Sequence, residues 1–267
     1  MSRAPHCCVV VPAHDEQDLI GACLNALGAQ RGVPAAAWEV IVVLDACADD
    51  TAGEVARAAQ RHPEMAVTVL DGPGRGAGPA RCVGMDAAAA RLPAAGLIAC
   101  TDADSTVAPD WVAAQLRAAA AGAQAIGGRI EIAPAEIAAL PPGVAADRFR
   151  RQHRRHQLVL ADPGPPGSTS EHWQFSGASL AVTAEVYRQV GGMGPDRALE
   201  DEAFERALID HGVPIHRSLA VRVTTSGRLV GRADRGLARD LAAAATTGGQ
   251  SMRPTKAMPR SSEPSAR

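Results

Sequence analysis

Residues 97–105, with the sequence LIACTDADS, decide how the rest of the chain is interpreted. A short apolar run, long enough for one buried parallel strand, ends in two carboxylates separated by one residue, Asp102 and Asp104. In open α/β sheets ligands bind beyond the carboxyl ends of the strands, and we expect both side chains to lie there. Neighbouring carboxylates repel each other unless a cation lies between them, and hard oxygen ligands favour Mg²⁺ or Mn²⁺. The pattern predicts a divalent metal ion shared with a substrate phosphate, but aspartates that cap a helix beginning near Pro109 or lie in a turn are an equally good explanation.

The composition is that of an ordinary globular protein. The 267 residues are 46% hydrophobic and 21% charged, with a formal net charge of -2, so nothing in the overall charge indicates nucleic acid binding. Six cysteines without a C-x-x-C pair predict buried, reduced thiols, which suit a cytoplasmic location. No apolar run is long enough to cross a bilayer, and we expect no signal peptide before the first strand, because residues 1–6 are short and polar. We therefore expect a soluble protein with at most peripheral membrane contact.

Strand and helix patterns alternate on the N-terminal side of the two aspartates. Apolar runs at residues 7–11, 38–44 and 66–70 predict three strands before the one that begins at Leu97, with a helix after each. Four strands alternating with helices predict a doubly wound, mostly parallel α/β sheet with helices on both faces. The glycine-rich turn at residues 72–78 lacks the G-x-G-x-x-G spacing, so a dehydrogenase-type dinucleotide site is only a weak alternative.

A set of motifs follows in a fixed order along residues 7–245. They are VVVPAHDE at 9–16, the second strand with Asp45, the turn through Arg81, Asp102-Ala103-Asp104, SGASLAV at 176–182 with GGM at 191–193, and Glu200-Asp201. In order and rough spacing this set resembles family 2 glycosyltransferases with the GT-A fold. The resemblance implies a donor-binding half at residues 1–105 and an acceptor-binding half at 106–245 of one domain. Residues 246–267 have the composition of a disordered tail.

The resemblance also implies a site for a nucleotide diphosphate sugar, with a UDP-linked donor favoured. The residues expected to contact the donor are Pro12, Ala13, His14, Glu16, Asp45, Arg81, Asp102 and Ala103. Asp45 is expected to accept a hydrogen bond from the imide N–H of uracil, and Asp102 and Asp104 to hold the ribose and a metal-bridged diphosphate. Taken by themselves, Asp45 could equally be a turn residue and Arg81 a helix-surface arginine.

The acidic group at residues 200–202 is the candidate for catalysis. The resemblance implies that Asp201 is the general base for an acceptor hydroxyl, that Glu200 or Glu202 orients it, and that the transfer inverts the anomeric centre. An acidic first turn that complements a helix dipole is the structural alternative. A phosphatase of the aspartyl-phosphate type is a rival, but it needs a downstream lysine, and the only lysine is Lys256. A nucleotidyltransferase is a closer rival, although residues 12–16 lack the basic, glycine-rich turn that such an enzyme needs. A non-catalytic binding module is less favoured than an enzyme.

Two further segments carry arginines. Residues 145–160 predict a helix with five arginines, which is either a solvated face or a patch that attracts an anionic acceptor, such as a sugar phosphate or a lipid phosphate headgroup. Arg228 and Arg232 follow a strand predicted at 213–223. Their guanidinium groups could bind the diphosphate of a donor, or they are ordinary surface arginines. We also predict an edge strand at residues 125–132.

Overall fold

The computed structural model of the protein describes residues 6–140, 142–196 and 199–228. Its strands are β1 (Cys7–Ala13), β2 (Trp38–Leu44), β3 (Val67–Asp71), β4 (Leu97–Cys100), β5 (Ser105–Val107), β6 (Ala125–Ile132), β7 (Thr169–Ser170), β8 (Leu180–Thr183) and β9 (Ile215–Thr225). Its α-helices are α1 (Ile20–Gly28), α2 (Thr51–Arg61), α3 (Ala77–Arg91), α4 (Trp111–Ala120), α5 (Pro134–Ala139), α6 (Pro142–Ala161), α7 (Ala184–Gln189) and α8 (Glu200–Asp210). The predicted tail and Arg232 lie outside the described residues.

The described strands form one sheet in the order β3-β2-β1-β4-β8-β6-β9-β5, with β7 beside β9. The first four strands are parallel to one another, as the alternation of strands and helices predicted. Their carboxyl ends therefore reach the same edge of the sheet. β8 runs antiparallel to β4 and to β6, and it joins the parallel part to the second half of the chain.

Alternate residues of β1 enter two different hydrophobic cores. Val9 and Val11 belong to the cluster that contains Leu24 of α1, whereas Val10 belongs to the cluster that contains Met85 of α3. The two-residue period of a strand explains this division, and a strand buried on both faces requires a nearly continuous apolar sequence. Helices cover both faces of the sheet, which confirms the predicted arrangement.

The strand predicted at residues 125–132 is present as β6, but its predicted position at a sheet edge is wrong. β6 lies between β8 and β9. In its second half Arg129 and Glu131 alternate with the buried Ile130 and Ile132, which is the pattern of a half-exposed strand. Its first half includes Gly128, where an added Cβ would overlap with the side chain of Ser179. Gly128 lets the segment with Ser179 pack closely against β6. The sequence of β6 alone does not show which segments lie beside it.

The cysteines agree only in part with the expectation of buried thiols, since four are buried and Cys47 and Cys82 are half-buried. All six cysteines are free, and burial raises the pKa of Cys7 and of Cys100 to about 12, so neither is a thiolate at neutral pH. The arginine-rich helix is confirmed as α6. Within the described ranges, no helix combines the length and the apolar character needed to cross a membrane.

Candidate active site

Polar side chains follow the carboxyl ends of β1, β2 and β4 at one edge of the sheet. The backbone N–H of Asp45 donates to the carbonyl oxygen of Ala13 at 2.8 Å, so the ends of β1 and β2 are in direct contact. Nδ1 of His14 donates to the carbonyl oxygen of Asp45 at 2.5 Å. β4 pairs with β1 up to Cys100, which brings Asp102 to the same edge. Pro12 and Ala13 are buried beneath this edge.

Asp45 is buried and holds the glycine-rich turn that precedes α3. One of its carboxylate oxygens accepts from the N–H of Gly74 and the other from the N–H of Gly76, both at 2.7 Å. Gly72 lies so close that an added Cβ would be 2.6 Å from the Asp45 carboxylate. The residue therefore shapes a turn, as one of the two interpretations of the sequence stated. Each carboxylate oxygen keeps a further lone pair, so base recognition by Asp45 stays a prediction.

Arg81 is the buried centre of the site, with only 4% of its side chain exposed. Its guanidinium donates to Oδ1 of Asp102 at 2.6 Å and, through the other terminal nitrogen, to Glu200. Burial alone would lower the pKa of Arg81, but the charges of Asp102 and Glu200 outweigh it and raise the pKa. Gly177 lies against the guanidinium, and an added Cβ there would overlap with it. The alternative of a helix-surface arginine is therefore wrong.

Asp102 and Asp104 have different surroundings. The side chain of Asp102 is 35% exposed, whereas that of Asp104 is 14% exposed. Asp104 accepts from the hydroxyl of Thr225 at 3.3 Å and lies 2.9 Å from a terminal nitrogen of Arg228. Burial raises the pKa of Asp104 to about 6; the charge of Asp102 adds to this rise and Arg228 opposes it. Burial therefore disfavours the ionised form of Asp104, and the hard oxygen atoms of the two aspartates fit Mg²⁺ or Mn²⁺.

Arg228 connects the end of β9 with the segment that follows β1. Its guanidinium forms a bidentate pair with Glu16, at 3.0 Å from Nη1 to Oε2 and 2.7 Å from Nη2 to Oε1. Glu16 is buried, so both of its oxygens are committed to interactions inside the protein. A guanidinium that can make such bidentate contacts with a carboxylate can make the same contacts with a phosphate.

The acidic group at residues 200–202 begins α8, and its first two members face different partners. Glu200 is 7% exposed and pairs with Arg81; burial raises its pKa, although Arg81 opposes the rise. Oδ2 of Asp201 accepts from the hydroxyl of Ser176 at 2.7 Å and from the N–H of Gly177 at 3.1 Å. Oδ1 of Asp201 accepts from the next backbone N–H of the helix at 2.9 Å. These bonds fix the direction of the Asp201 carboxylate.

Backbone strain lies next to the candidate residues. Among the described residues other than glycine, a positive φ occurs at Asp15 (52°), Ala46 (53°) and Leu199 (62°). Each of the three is the direct neighbour of a candidate residue: Asp15 precedes Glu16, Ala46 follows Asp45 and Leu199 precedes Glu200. A left-handed conformation costs about 1–2 kcal/mol for such residues and persists where the surrounding structure imposes it, as is common at ligand sites.

A second acidic group consists of Asp15, Cys47 and Asp49, whose ligand atoms lie within 4.8 Å of one another. Asp15 accepts from the N–H of Ala48 at 2.7 Å, and Asp49 accepts from the N–H of Gln17 at 3.0 Å. These bonds join the β1–α1 connection to the β2–α2 connection. They give the group a structural role that does not require a metal ion.

Sequence reasoning assigned no role to three residues that support the site. Ser176 and Gly177 were part of a motif, but their support of Asp201 depends on contacts across the chain, and Thr225 ends β9 without any local signal. Ala103 was expected to bind the donor, but its side chain packs in the core, so a contact with the donor would have to come from its backbone. Arg232 lies outside the described residues.

Comparisons with known proteins identify the family and the fold of the chain. A family model described as Glycosyl transferase family 2 matches residues 8–171. No curated protein sequence gives a significant match.

Solved structures are similar to the chain at low sequence identity. One is the mannosyltransferase PcManGT from Pyrobaculum calidifontis in complex with GDP-Man and Mn²⁺, with a TM-score of 0.60 and 19% identity over 94% of this chain and 77% of that chain. Another is S. aureus TarS 1-349 in complex with UDP-GlcNAc, with a TM-score of 0.59 and 15% identity over 88% of this chain and 69% of that chain. These likenesses confirm the predicted GT-A fold.

Proposed function

The chain belongs to glycosyl transferase family 2 and is a glycosyltransferase, and we propose that it transfers a sugar from a nucleotide diphosphate sugar to a hydroxyl acceptor. Family membership decides against the phosphatase and nucleotidyltransferase alternatives. Within the single GT-A domain, residues 1–105 form the donor-binding half and residues 106–245 the acceptor-binding half.

The contact of Arg81 with both Asp102 and Glu200 carries the proposal. One guanidinium spans only a few ångströms, so the donor-side carboxylate and the start of α8 are neighbours. Glycosyl transfer with inversion requires a leaving diphosphate on one side of the anomeric carbon and an acceptor hydroxyl on the other. An edge with Asp102 on one side of Arg81 and the acids of α8 on the other supports this arrangement.

The donor diphosphate is held near Asp102, Asp104 and Arg228 in this proposal. Asp102 and Asp104 would hold a Mg²⁺ or Mn²⁺ ion, which would supply positive charge to the departing diphosphate. Arg228 exchanges one of its carboxylate partners for a phosphate oxygen, and Arg232 assists it. Uracil is the base assigned in this proposal, with Asp45 as the acceptor of its imide N–H. The two similar structures do not discriminate, since one was solved with GDP-Man and the other with UDP-GlcNAc.

Asp201 is the general base of the proposed reaction. The acceptor oxygen bonds to the anomeric carbon, the bond from that carbon to the diphosphate oxygen breaks, and the acceptor proton passes to Asp201. Attack in line with the leaving group inverts the anomeric centre. Ser176 and Gly177 hold the Asp201 carboxylate in place, and Glu200, which is paired with Arg81, positions that arginine.

The variant Asp201→Asn tests this assignment. It removes the basicity while it keeps the size of the side chain, so kcat is expected to fall by roughly 10²–10⁴-fold. Turnover is measured as release of the nucleoside diphosphate from a panel of UDP- and GDP-sugars with Mn²⁺, and nucleotide affinity is measured by titration calorimetry. We expect the affinity to remain within about twofold, because a base acts mainly in the transition state.

Asp210→Asn is the matched control, because Asp210 is exposed at the other end of the same helix. Both variants are compared in thermal stability, since an Asn amide at position 201 faces backbone and hydroxyl donors. Undiminished turnover in Asp201→Asn would show that another acid, Glu202 first, is the base. Loss of nucleotide binding or of the folded state in Asp201→Asn alone would show that the residue is structural.

A further inference from the structure

One face of α6 is exposed to solvent and combines apolar with basic side chains. Phe149 and Leu160 are 71% and 53% exposed, and eleven residues, about three turns, place them on one line along the helix. Arg150, His153 and Arg154 are exposed on the adjoining surface of the same helix. We call these five residues the basic face of α6.

The opposite side of α6 fixes the direction of the basic face. Val144 is 1% exposed and anchors the first turn. Farther along, the guanidinium of Arg155 lies 4.9 Å from the ring centroid of Trp173, a cation–π contact. Because these contacts hold the inner side, the basic face points outward, and Phe149 is the most exposed of the large apolar side chains in the described residues.

The charge of α6 is opposite in sign to that of the whole chain. Residues 142–161 contain five arginines and one acidic residue, Asp147, in a chain of net charge -2. Asp147 pairs with Arg150 at 3.3 Å and with Arg151 at 2.6 Å. Such exposed pairs contribute only about 0–1 kcal/mol and leave the arginines accessible to other anions. A partner of this face is therefore anionic.

The apolar members of the basic face select among anionic partners. A free phosphate gives Phe149 and Leu160 nothing against which to bury, and a single aromatic ring is a poor platform for stacking a nucleic acid. The chain's own residues 229–267 contain seven basic and three acidic side chains, so they carry the same sign as α6. A lipid interface offers phosphates and acyl chains together, which basic amphipathic helices bind while lying in its plane.

We propose that the basic face of α6 docks on an anionic lipid surface. Phe149 and Leu160 enter the boundary between headgroups and acyl chains, and Arg150 and Arg154 contact the lipid phosphates. This mode of contact does not require a membrane-spanning helix, and it does not depend on the donor or acceptor of the proposed transfer reaction.

Co-sedimentation of the full chain with lipid vesicles tests the proposal. We expect binding to vesicles of phosphatidylcholine that contain phosphatidylglycerol, and little binding to phosphatidylcholine alone. Raising the salt concentration from about 0.1 M to about 0.5 M is expected to weaken the binding, because it shortens the range of charge interactions. Absence of binding to the anionic vesicles at low salt would overturn the proposal.

Two pairs of variants distinguish the apolar from the basic contribution. Phe149→Ala with Leu160→Ala is expected to lower the partition into anionic vesicles by about tenfold or more, whereas Val69→Ala, exposed on edge strand β3, leaves it unchanged. Arg150→Gln with Arg154→Gln is expected to lower it by on the order of thirtyfold. Arg57→Gln with Arg117→Gln removes the same charge from exposed sites on α2 and α4 and is expected to have a much smaller effect.

The remaining outcomes contradict the proposal in distinct ways. Equal losses in the test and control variants would mean that the basic face of α6 is not the docking surface. A second outcome is binding that depends on the arginines but not on Phe149 and Leu160, with the same affinity for heparin as for anionic vesicles. That outcome would show a general polyanion site instead of a lipid surface.

Discussion

At the scale of single residues, His172 is a buried histidine whose protonation state is fixed by its neighbours. Nε2 donates to the carbonyl oxygen of Ser218 at 3.2 Å, and Nδ1 accepts from the N–H of Gln174 at 3.0 Å. A second ring proton would face the Gln174 N–H, so the charged form has no acceptor at Nδ1. Burial lowers the pKa of His172 to about 4, although the bond to Ser218 opposes this shift.

This histidine predicts an acid-sensitive fold. Below its ordinary pKa of about 6.5 the unfolded chain binds a proton that the folded chain does not, so the free energy of unfolding falls as the pH falls towards about 4, by up to about 3 kcal/mol. Urea denaturation across this pH range is expected to show that the free energy of unfolding falls more steeply for the native chain than for His172→Gln. The exposed His153→Gln serves as control, and equal slopes for the native chain and His172→Gln would contradict the argument.

Some residues of the site could be predicted from the neighbouring sequence, and others depend on contacts with distant parts of the chain. Asp102 and Asp104 could be found because carboxylates that end an apolar run mark the ligand edge of a sheet. The burial of Arg81 could not, because it results from Glu200 and Gly177, which lie far along the chain. His172 likewise gives no signal, since its partners are a carbonyl oxygen and a backbone N–H.

At the scale of elements, the short turn at residues 176–179 is packed between Arg81 and Asp201. Gly177→Ala is expected to destabilise the protein by about 1–3 kcal/mol, because Arg81 is fixed by two carboxylates and cannot move aside. It is also expected to lower kcat, since the Gly177 N–H orients Asp201. Urea denaturation and nucleoside diphosphate release measure the two effects.

Gly194→Ala is the control for this prediction, because an added Cβ there would meet its nearest neighbour, Asp196, at an ordinary 3.5 Å. If the two variants were equally stable and equally active, the close packing of Gly177 on Arg81 would have no consequence.

The elements also separate into predictable and unpredictable ones. β1, β2, β3 and β4 were predictable because each is an apolar run and helices alternate with these runs. β5, β7 and β8 have two to four residues each, and their sequences carry no strand period; they exist because they pair with distant strands. The same non-local pairing places β6 inside the sheet.

At the scale of the whole molecule, the site joins distant parts of the chain. Glu16 and Arg228 are 212 positions apart, and Arg81 and Glu200 are 119 apart. A ligand that contacts both sides of these pairs is bound by the folded state and not by the unfolded chain, so donor binding is expected to raise the stability of the entire fold.

This coupling gives a thermal prediction for UDP with Mn²⁺. At a hundred times its dissociation constant the nucleotide adds about 2.7 kcal/mol, which raises Tm by roughly 5–10 °C for a chain of this size. EDTA is expected to remove most of the shift, because the metal ion offsets the charge of Asp102 and Asp104. The Tm shift is also expected to disappear in Asp104→Asn and to remain in the control Asp210→Asn.

The choice of nucleotide adds a second comparison to the same measurement. UDP is expected to give a larger shift than GDP if Asp45 recognises uracil, and Asp45→Ala is expected to reduce that difference. A larger shift with GDP would assign the site to guanine, and an equal shift with EDTA present would remove the metal ion from the donor site. If neither nucleotide shifts Tm under any of these conditions, the carboxylates at this edge do not form a nucleotide-sugar site, and Arg81 and Arg228 serve only to hold the two halves together.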